Sequence, residues 1–328
     1  MKMDYNPKKI LVLKIRKLGD VLLTTPAISQ LSKLYPKAEI TIITEPLGAQ
    51  VFQFSSFVDR VWVIHRHPTY IDYLKLCYKV YREHFDIVID FYHHNKTALI
   101  TNLSRAPYRF GFAKGDKKAL SYNHTVALTE KNYTHDYSVL HNLRLTEALG
   151  TNYNDLQLVF EIDKVTKDFG ESFAREYKFT DKVIAFCAQS ERSNAQVSHE
   201  LLANIGNLLI SKGYKLYFVY GPGERALATP VYEKITDKNE CIIDYKIPTI
   251  AQVRAIFEHC SLYVGNDGGN KHIAVAADVP SIGIFNGDKP AVWTPPNVER
   301  HQYLQTKDNS DAFAEFKSIF NRLLNSSD

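Results

Sequence analysis

A short apolar run leads into a polar loop in the segment Ile10-Leu-Val-Leu-Lys-Ile-Arg-Lys-Leu-Gly-Asp20. This segment indicates the fold class of the chain. The run at 10–15 is typical of a strand buried in a parallel sheet. Apolar residues at helical spacing follow it, namely Leu23, Ala27, Ile28, Leu31 and Leu34. This order of strand, loop and helix predicts the first unit of an α/β fold.

Outward from this segment, apolar runs of strand length alternate with helical patterns. Strands are predicted at 38–43, 61–64, 86–90, 183–186, 215–220, 262–264 and 281–285. Helices are predicted at 70–84, 137–149, 201–209, 250–257, 273–277 and 312–324. This alternation predicts βαβ units with parallel strands. We therefore expect two Rossmann-like halves, joined near the polar residues 160–180, with ligands beyond the carboxyl ends of the strands.

Length and composition narrow the class of protein. A chain of 328 residues is long enough for about two domains, and 45% hydrophobic residues can fill their cores. Its 40 Lys and Arg residues against 36 Asp and Glu residues leave a formal charge of +4. This mild excess fits an anionic ligand, but it is too small for the basic stripe of a nucleic-acid-binding protein.

Neither the cysteines nor the N-terminus indicates export or a metal centre. Cys77, Cys187, Cys241 and Cys260 are far apart and form no Cys-x-x-Cys pair, so we expect reduced thiols. The apolar run at 10–13 is too short for a secretion signal, and no stretch approaches the roughly 20 apolar residues of a membrane span. A cytoplasmic protein is expected, and contact with a membrane surface stays open.

Asp20 is the first candidate for chemistry because its carboxylate follows a buried strand at the point where a helix begins. One interpretation is an N-cap, in which the carboxylate accepts hydrogen bonds from backbone N–H groups of the helix. The other is a general base that takes a proton from a sugar hydroxyl within about 3 Å. The residues alone leave both open.

The second candidate is the turn Gly265-Asn-Asp-Gly-Gly-Asn-Lys-His272. Its glycine amides and the following helix N-terminus suit a diphosphate, and Lys271 and His272 add donors. The order matches neither a P-loop nor a dinucleotide fingerprint, and a tight connection without a ligand fits it equally well. In the turn Gly221-Pro-Gly-Glu224, Glu224 either stabilises the turn or accepts hydrogen bonds from a ribose or base.

Two other patterns have structural interpretations. Tyr70, Tyr73, Tyr78 and Tyr81 recur along a predicted helix and are interpreted as a packing face. His93 and His94 are adjacent, and neighbouring side chains on a strand point to opposite faces, so one metal ion would rarely bind both. No metal site is predicted.

Taken together, these motifs resemble glycosyltransferase family 9, the ADP-heptose:lipopolysaccharide heptosyltransferases. The resemblance is carried by 10–28, which holds Lys-Leu-Gly-Asp20, and by 265–277, which holds the glycine-rich turn. Supporting segments are Tyr35-Pro-Lys-Ala-Glu-Ile40, Arg105-Ala-Pro-Tyr-Arg-Phe-Gly111 and Pro280-Ser-Ile-Gly-Ile-Phe-Asn-Gly-Asp288, the last followed by Trp293 and Pro295.

The resemblance implies a GT-B architecture, an α/β fold of two Rossmann-like parallel-sheet domains that face each other across a cleft. Residues 1–165 would bind the acceptor and residues 166–328 the nucleotide sugar, with the last helix free to pack back on the first domain. Asp20 corresponds to the family's proposed general base. The donor-binding positions it implies are Asp267, Gly268, Gly269 and His272, with Glu224 near the nucleoside-binding acid.

The chain departs from the family pattern at two places. Gly268 stands where members usually have Ser or Thr, which removes a hydroxyl donor. The stretch Ser190-Glu-Arg-Ser-Asn-Ala-Gln-Val-Ser198 lacks the usual lysine that contacts phosphate, so Arg192 or Lys271 is expected to replace it, with Ser190 also near the donor. The acceptor carries carboxylates and phosphates, for which the candidate partners are Arg16, Lys17, Arg105 and Arg109.

The resulting expectation is a metal-independent, cofactor-free inverting transferase. It would move heptose from ADP-heptose to the inner core of lipopolysaccharide, on a Kdo- or heptose-bearing lipid A. It would act in the cytoplasm, in peripheral contact with the inner membrane or without it, and would bind no nucleic acid. Two alternatives remain: a related transferase with another nucleotide sugar or acceptor, and a catalytically degenerate protein that only binds a nucleotide sugar.

Overall fold

The computed structural model describes residues 6–113, 115, 117–190, 192–287 and 289–325, without the side chains of 324 and 325. The chain divides into two compact units, Met1–Glu161 and Ile162–Asp328. The sequence predicted this boundary between residues 165 and 166, four residues later and inside the helix Lys164–Glu176. Each unit is described by itself below.

In the described part of the first unit, six parallel strands form one sheet in the order β3-β2-β1-β4-β5-β6. The strands are β1 Lys9–Lys14, β2 Glu39–Thr44, β3 Arg60–Val63, β4 Ile87–Asp90, β5 Tyr108–Ala113 and β6 His124–Ala127. Its helices are α1 Leu18–Leu22, α2 Thr25–Leu34, α3 Pro46–Ala49, α4 Tyr70–Glu83, α5 Asn95–Leu103, α6 Glu130–His135 and α7 Ser138–Thr146.

The described part of the second unit repeats this plan, with six parallel strands in the order β12-β11-β10-β7-β8-β9. The strands are β7 Val183–Cys187, β8 Lys215–Phe218, β9 Cys241–Ile242, β10 Leu262–Asn266, β11 Ser281–Phe285 and β12 His301–Gln305. Its helices are α8 Lys164–Glu176, α9 His199–Ser211, α10 Arg225–Tyr232, α11 Ile250–Phe257, α12 Gly269–Ala276, α13 Pro290–Trp293 and α14 Ala312–Asn325. Each unit therefore has the strand order of a Rossmann fold.

The central strands have the composition that their burial requires. Residues 10–13 of β1 and residues 263–264 of β10 are fully buried, as expected for strands covered by helices on both faces. Thr24, at the N-cap of α2, makes no side-chain capping hydrogen bond. The hydroxyl groups of Thr24 and Thr25 instead donate to the carbonyl oxygens of Val21 and Leu22. These bonds accompany a break in the predicted helix, which becomes α1 and α2.

The segment 160–180 was predicted as a polar connection, and this is wrong for most of its length, because it contains α8. Phe173 is buried in this helix, which packs against α11. At Gly170 a Cβ atom would lie 2.8 Å from the Ala255 carbonyl carbon, so glycine allows this close contact. The sequence of α8 is rich in charged residues and has few buried apolar ones, so the sequence analysis took this segment as polar.

The last helix, α14, packs within the second unit. It contacts α9 and β12. Phe316 and Phe320 are fully buried and stack at 6.0 Å between ring centroids in the core of this unit. The reason is the apolar stripe of α14, which covers the sheet beside β12.

Glu83 fastens the end of α4 to two strands of the first sheet. Its carboxylate accepts hydrogen bonds from Lys9 Nζ at 2.8 Å and from Arg60 at 3.0 and 3.2 Å. These hydrogen bonds, from Arg60 first and then Lys9, lower the pKa of Glu83 to about 2. A lowered carboxyl pKa stabilises the folded state above the unfolded pKa, and this contribution is lost as pH falls through the folded pKa.

We therefore expect Glu83→Gln to destabilise the protein most at neutral pH. The difference in free energy of unfolding between wild type and Glu83→Gln should be constant above about pH 5 and shrink as pH falls from about 4.5 towards 2. Urea unfolding at several pH values measures it, with the exposed Glu233→Gln as the control. A difference that does not change with pH would contradict the ion-pair assignment.

Candidate functional site

The strand order places a switch point in each sheet. In the first unit, β1 and β4 are neighbours, and the chain leaves them towards opposite sides of the sheet. In the second unit, β7 and β10 stand in the same relation. Loops that diverge at the carboxyl ends of two such strands leave a crevice, which is where ligands bind in α/β sheets. The predicted residues Asp20 and Asp267 each follow a strand of such a pair.

Asp20 lies inside α1, at its third residue, and the N-cap interpretation is wrong. The N-cap position is Lys17, which makes no side-chain capping bond. The Asp20 carboxylate instead approaches Arg16 Nε at 3.3 Å and Lys14 Nζ at 4.0 Å. Its side chain is 21% exposed, so it faces two cations and still reaches solvent.

Arg16 connects Asp20 to the loop that follows β4. Its guanidinium carbon lies 5.5 Å from the centre of the Tyr92 ring, and Tyr92 stacks on His94 at 5.1 Å. Burial opposes the charge of Arg16, but Asp20 and Tyr92 outweigh it and raise the pKa of the guanidinium above its ordinary value. Arg16 is therefore a fixed cation at this edge of the sheet.

Asp90, at the end of β4, is the main residue of this edge that the sequence analysis did not single out. It is completely buried, and burial raises the pKa of its carboxyl group. It accepts hydrogen bonds from Tyr122 Oη at 2.7 Å and from the backbone N–H groups of Tyr92 and His93 at 2.9 and 3.0 Å. His93 is held at a φ of +53°, a conformation that costs about 1 kcal/mol or more outside glycine. Asp90 thus shapes the loop that carries Tyr92.

The other candidate acceptor-binding cations are placed differently. Arg109 is half-buried and donates to the carbonyls of Ser121 at 2.9 Å and Ala106 at 2.7 Å. Arg105 is exposed, with its guanidinium 5.0 Å from the centre of the Tyr81 ring on α4. Lys17 is exposed at the start of α1. Among these four predicted residues, Arg16 contacts Asp20, with Nε 3.3 Å from the carboxylate.

In the second unit, the glycine-rich turn is shorter than predicted. Strand β10 continues to Asn266, and α12 begins at Gly269. Lys271 and His272 therefore lie in the first turns of a helix, where both are buried. The predicted helix start at 273 is wrong because glycine and asparagine at 269–270 form the first turn of α12 rather than a loop.

Lys271 is a buried partner of Asp267. Its Nζ lies 2.6 Å from Asp267 Oδ1, and its side chain is 0% exposed. The ammonium also lies 4.3 Å from the centre of the Phe285 ring. Gly283 leaves the space for the lysine stem, since a Cβ there would lie 2.8 Å from Lys271 Cδ. Burial works against the Asp267 charge, but Lys271, His272 and Arg192 lower the pKa of its carboxyl group.

Arg192 and His272 complete the surroundings of this carboxylate. Arg192 Nη2 lies 3.6 Å from Asp267 Oδ2, and its side chain is 47% exposed. Its backbone N–H donates to Ser190 Oγ at 3.2 Å. The His272 ring meets the Trp293 ring edge to face at 6.5 Å. The fold thus brings Asp267, Lys271, His272 and Arg192 together, with Arg192 reaching solvent.

Glu224 closes its own turn. Its Oε2 accepts hydrogen bonds from the Gly221 N–H at 2.7 Å and from Gln189 Nε2 at 3.2 Å. Gln189 is buried in the loop after β7, so Glu224 links the turn after β8 to that loop. The structural interpretation of Glu224 is supported, and its carboxylate also lies at the carboxyl edge of the sheet.

Three side-chain amides that the sequence analysis missed hold the loop after β7. Asn266 Oδ1 accepts the Val197 N–H at 2.9 Å. Gln196 Oε1 accepts the Ser190 N–H at 2.7 Å, and Asn286 Nδ2 donates to the Gln196 carbonyl at 3.0 Å. Such amides are common in any loop, and only their position after adjacent strands could have singled them out.

The described residues contain neither a metal-binding cluster nor a membrane-spanning helix. Within them, no three His, Cys, Asp or Glu side chains converge as metal ligands would. His93 packs beside Tyr122 while His94 stacks on Tyr92, so the two rings have separate environments. In the same part of the chain, no helix combines the length and apolarity needed to span a bilayer.

A family model described as glycosyltransferase family 9 (heptosyltransferase) matches residues 73–319. The chain belongs to glycosyltransferase family 9. It is 22% identical over 291 residues to lipopolysaccharide heptosyltransferase 3 of Escherichia coli K12, covering 84% of this chain and 82% of that protein.

Solved structures of this family share the fold. A family 9 glycosyl transferase from Veillonella parvula superposes with a TM-score of 0.79 at 22% identity, over 98% of this chain and 90% of that chain. E. coli heptosyltransferase WaaC with ADP superposes with a TM-score of 0.71 at 18% identity, over 96% and 99% of the two chains. The expected GT-B fold class and glycosyltransferase activity are confirmed.

In this glycosyltransferase, two glycines of the glycine-rich turn 265–272 differ in what their surroundings allow. Gly265 has a φ of +149°, and a Cβ there would lie 2.2 Å from the Cys187 carbonyl oxygen. Gly268 has an extended φ of 170°, and a Cβ there would meet nothing within 4 Å. We expect Gly265→Ala to lower the free energy of unfolding by roughly 3 kcal/mol or more. The matched Gly268→Ala should lower it by less than about 1 kcal/mol.

Denaturant unfolding of the two variants measures this difference. Equal stability of the two would show that β7 and β10 do not approach as closely as described at Gly265.

Proposed function

We propose that this glycosyltransferase transfers heptose from ADP-heptose to the inner core of lipopolysaccharide, with inversion at C1 and with Asp20 as general base. The observation that carries the proposal is the Asp20 carboxylate, partly exposed at the switch point of the first sheet. The names of its relatives support the substrates, since one is a lipopolysaccharide heptosyltransferase and another was solved with ADP. We assign the acceptor to the first unit and the donor to the second.

Asp20 would act on the hydroxyl group of the acceptor sugar. One carboxylate oxygen takes the hydroxyl proton while the hydroxyl oxygen attacks C1 of the heptose, on the face opposite the diphosphate. The C1–O bond to ADP breaks in the same step, and the electron pair leaves with the diphosphate. Lys14 and Arg16 hold the carboxylate from two sides and supply positive charge for the anionic groups of a lipopolysaccharide core.

The glycine-rich turn 265–272 would stabilise the departing diphosphate. The N–H groups of Gly268 and Gly269 lie at the start of α12, where the helix dipole favours an anion. The open space above Gly268 leaves room for a bulky ligand close to the backbone. Arg192 is the exposed cation of this cluster, and we assign it to the phosphates, whereas the buried His272 is assigned to the surroundings of Asp267.

Burial gives Lys271 a different role from the one first expected. Its ammonium is enclosed and held by Asp267, so we assign it to fixing that carboxylate rather than to contacting the donor. Ser190 positions Arg192 through the backbone, and Glu224 is assigned to the nucleoside end of the donor. These assignments require no metal ion for the step, because the charges that form are met by protein groups.

Asp20→Asn should lower kcat by about 10²- to 10⁴-fold, because the amide cannot accept the proton. The measurement is turnover of ADP-heptose with a soluble core oligosaccharide as the acceptor. The matched control is Asp72→Asn, which removes a carboxylate from the same third position of another helix, α4. Its turnover should remain within about twofold of wild type, as expected of an exposed surface carboxylate.

Folded Asp20→Asn protein with wild-type turnover would falsify the general-base assignment. ADP-heptose binding by the wild type without turnover would favour the nucleotide-sugar-binding alternative. Turnover with a different nucleotide sugar would favour a relative with another donor.

Arg192→Gln should weaken ADP binding roughly tenfold, since a charge-assisted contact to phosphate is lost. Isothermal titration calorimetry with ADP measures it, and AMP is expected to bind more weakly than ADP. The control is Lys238→Gln, which removes an exposed cation paired with Glu233 elsewhere in the same unit. Unchanged ADP affinity in Arg192→Gln would remove Arg192 from the donor site.

A further inference from the structure

Helix α4 carries two apolar faces, and the fold uses one of them. Cys77 and Val80 are buried, and Tyr73 and Leu76 pack partly buried against the same core. The predicted packing role of the aromatic run holds for Tyr73, whose hydroxyl donates to the Lys96 carbonyl at 2.7 Å. It is wrong for the remaining tyrosines of this run, which point away from the core.

The second apolar face is exposed. We call it the α4 outer face, and its side chains are 36% to 76% exposed: Tyr70, Ile71, Leu74, Tyr78 and Tyr81. At 100° per residue these five side chains fall within an arc of about 100° on a helix of 14 residues. They therefore form one continuous stripe. Contiguous apolar surface of this kind marks an interaction site more often than scattered apolar residues do.

Cations border the stripe. On the helical wheel, Arg82 and Lys75 follow the stripe on its solvent side, about 20° and 40° beyond Ile71. Arg82 donates to Tyr78 Oη at 3.2 Å, and the Arg105 guanidinium lies 5.0 Å from the centre of the Tyr81 ring. Tyrosine rings with cations beside them match the boundary between acyl chains and anionic headgroups of a bilayer.

The acidic residues of α4 do not offset these cations. Glu83 is held by Lys9 and Arg60 on the core side. Asp72 lies on the far flank of the helix, where it accepts the Thr69 hydroxyl. The outer face is therefore apolar with a positive border, and its charge complements an anionic surface.

We propose that the α4 outer face docks on an anionic lipid bilayer, with the tyrosines at headgroup level and Arg82, Lys75 and Arg105 on lipid phosphates. The first turn of α4 follows the carboxyl end of β3, so this face begins at the same edge of the sheet as Asp20. Docking here would hold that edge close to an acceptor embedded in the bilayer. It assigns residues to the membrane contact left open by the sequence, and it does not depend on which sugar is transferred.

Vesicle co-sedimentation of the full chain tests the proposal. Wild type should bind vesicles of phosphatidylglycerol and phosphatidylcholine, bind phosphatidylcholine alone at least tenfold more weakly, and lose affinity as salt rises. The double variant Ile71→Ser/Tyr78→Ser should lose at least tenfold in affinity, and Lys75→Gln/Arg82→Gln about fivefold for each charge removed. The matched control is Val165→Ser/Lys167→Gln on α8, where Val165 is 74% exposed, and it should bind like wild type.

Two further measurements, thermal unfolding and turnover, separate docking on a bilayer from other effects of the substitutions. Thermal unfolding should be unchanged in all these surface variants, and turnover with the soluble acceptor should stay at the wild-type level, which separates docking from the proposed reaction. Equal binding to neutral and anionic vesicles, or wild-type binding by both α4 variants, would overturn the proposal. A concentration-dependent dimer that Ile71→Ser/Tyr78→Ser abolishes, without vesicle binding by the wild type, would assign the face to a second copy instead.

Discussion

Both units depend on one constraint of connectivity: the chain enters each sheet at its centre and later lays a second central strand beside the first. Because β1 and β4 lead their helices to opposite sides, the loops after them must part, and β7 and β10 do the same. Asp20, Asp90 and Asp267 lie at or next to these switch points. The chemistry of each unit therefore follows from the order of its strands before any particular side chain is considered.

At each switch point, one carboxylate is buried while other groups reach solvent. Asp90 is enclosed and shapes the loop after β4, whereas Asp20 stays partly exposed between two cations. In the second unit, Asp267 is enclosed with Lys271, and Arg192 is exposed. A buried ion pair contributes little net stability, so its value here is in fixing geometry. The exposed groups, by contrast, face solvent.

Much of the fold could be predicted from apolar periodicity, and the failures have physical causes. The buried central strands are continuous apolar runs, so β1, β10 and β11 stand out in the sequence. Strands β5, β6, β9 and β12 were missed. Strands β6, β9 and β12 lie at sheet edges and contain side chains that are exposed or only partly buried, and β5 begins with two partly buried residues. Helix α8 was missed because its apolar side is narrow, with Phe173 among polar neighbours.

The candidate site was predictable in outline because Asp20 and Asp267 follow apolar runs. Burial was not predictable from composition, and for this reason Lys271 was first interpreted as a donor to the ligand. The same limit applied to Asp90, whose role depends on Tyr122, 32 residues away in sequence. Contacts between distant segments decide which charged groups face inwards.

Gly283 and Lys271 depend on each other, because the lysine side chain occupies the space next to the glycine. A methyl group at 283 would displace the lysine, and a shorter side chain at 271 would leave a void beside Phe285 and remove the cation 2.6 Å from Asp267. A substitution at either position alone would disturb this contact, so natural substitutions at 283 should be accompanied by substitutions at 271. A lineage that exchanged this lysine for an apolar residue would have had to neutralise Asp267 by another route first.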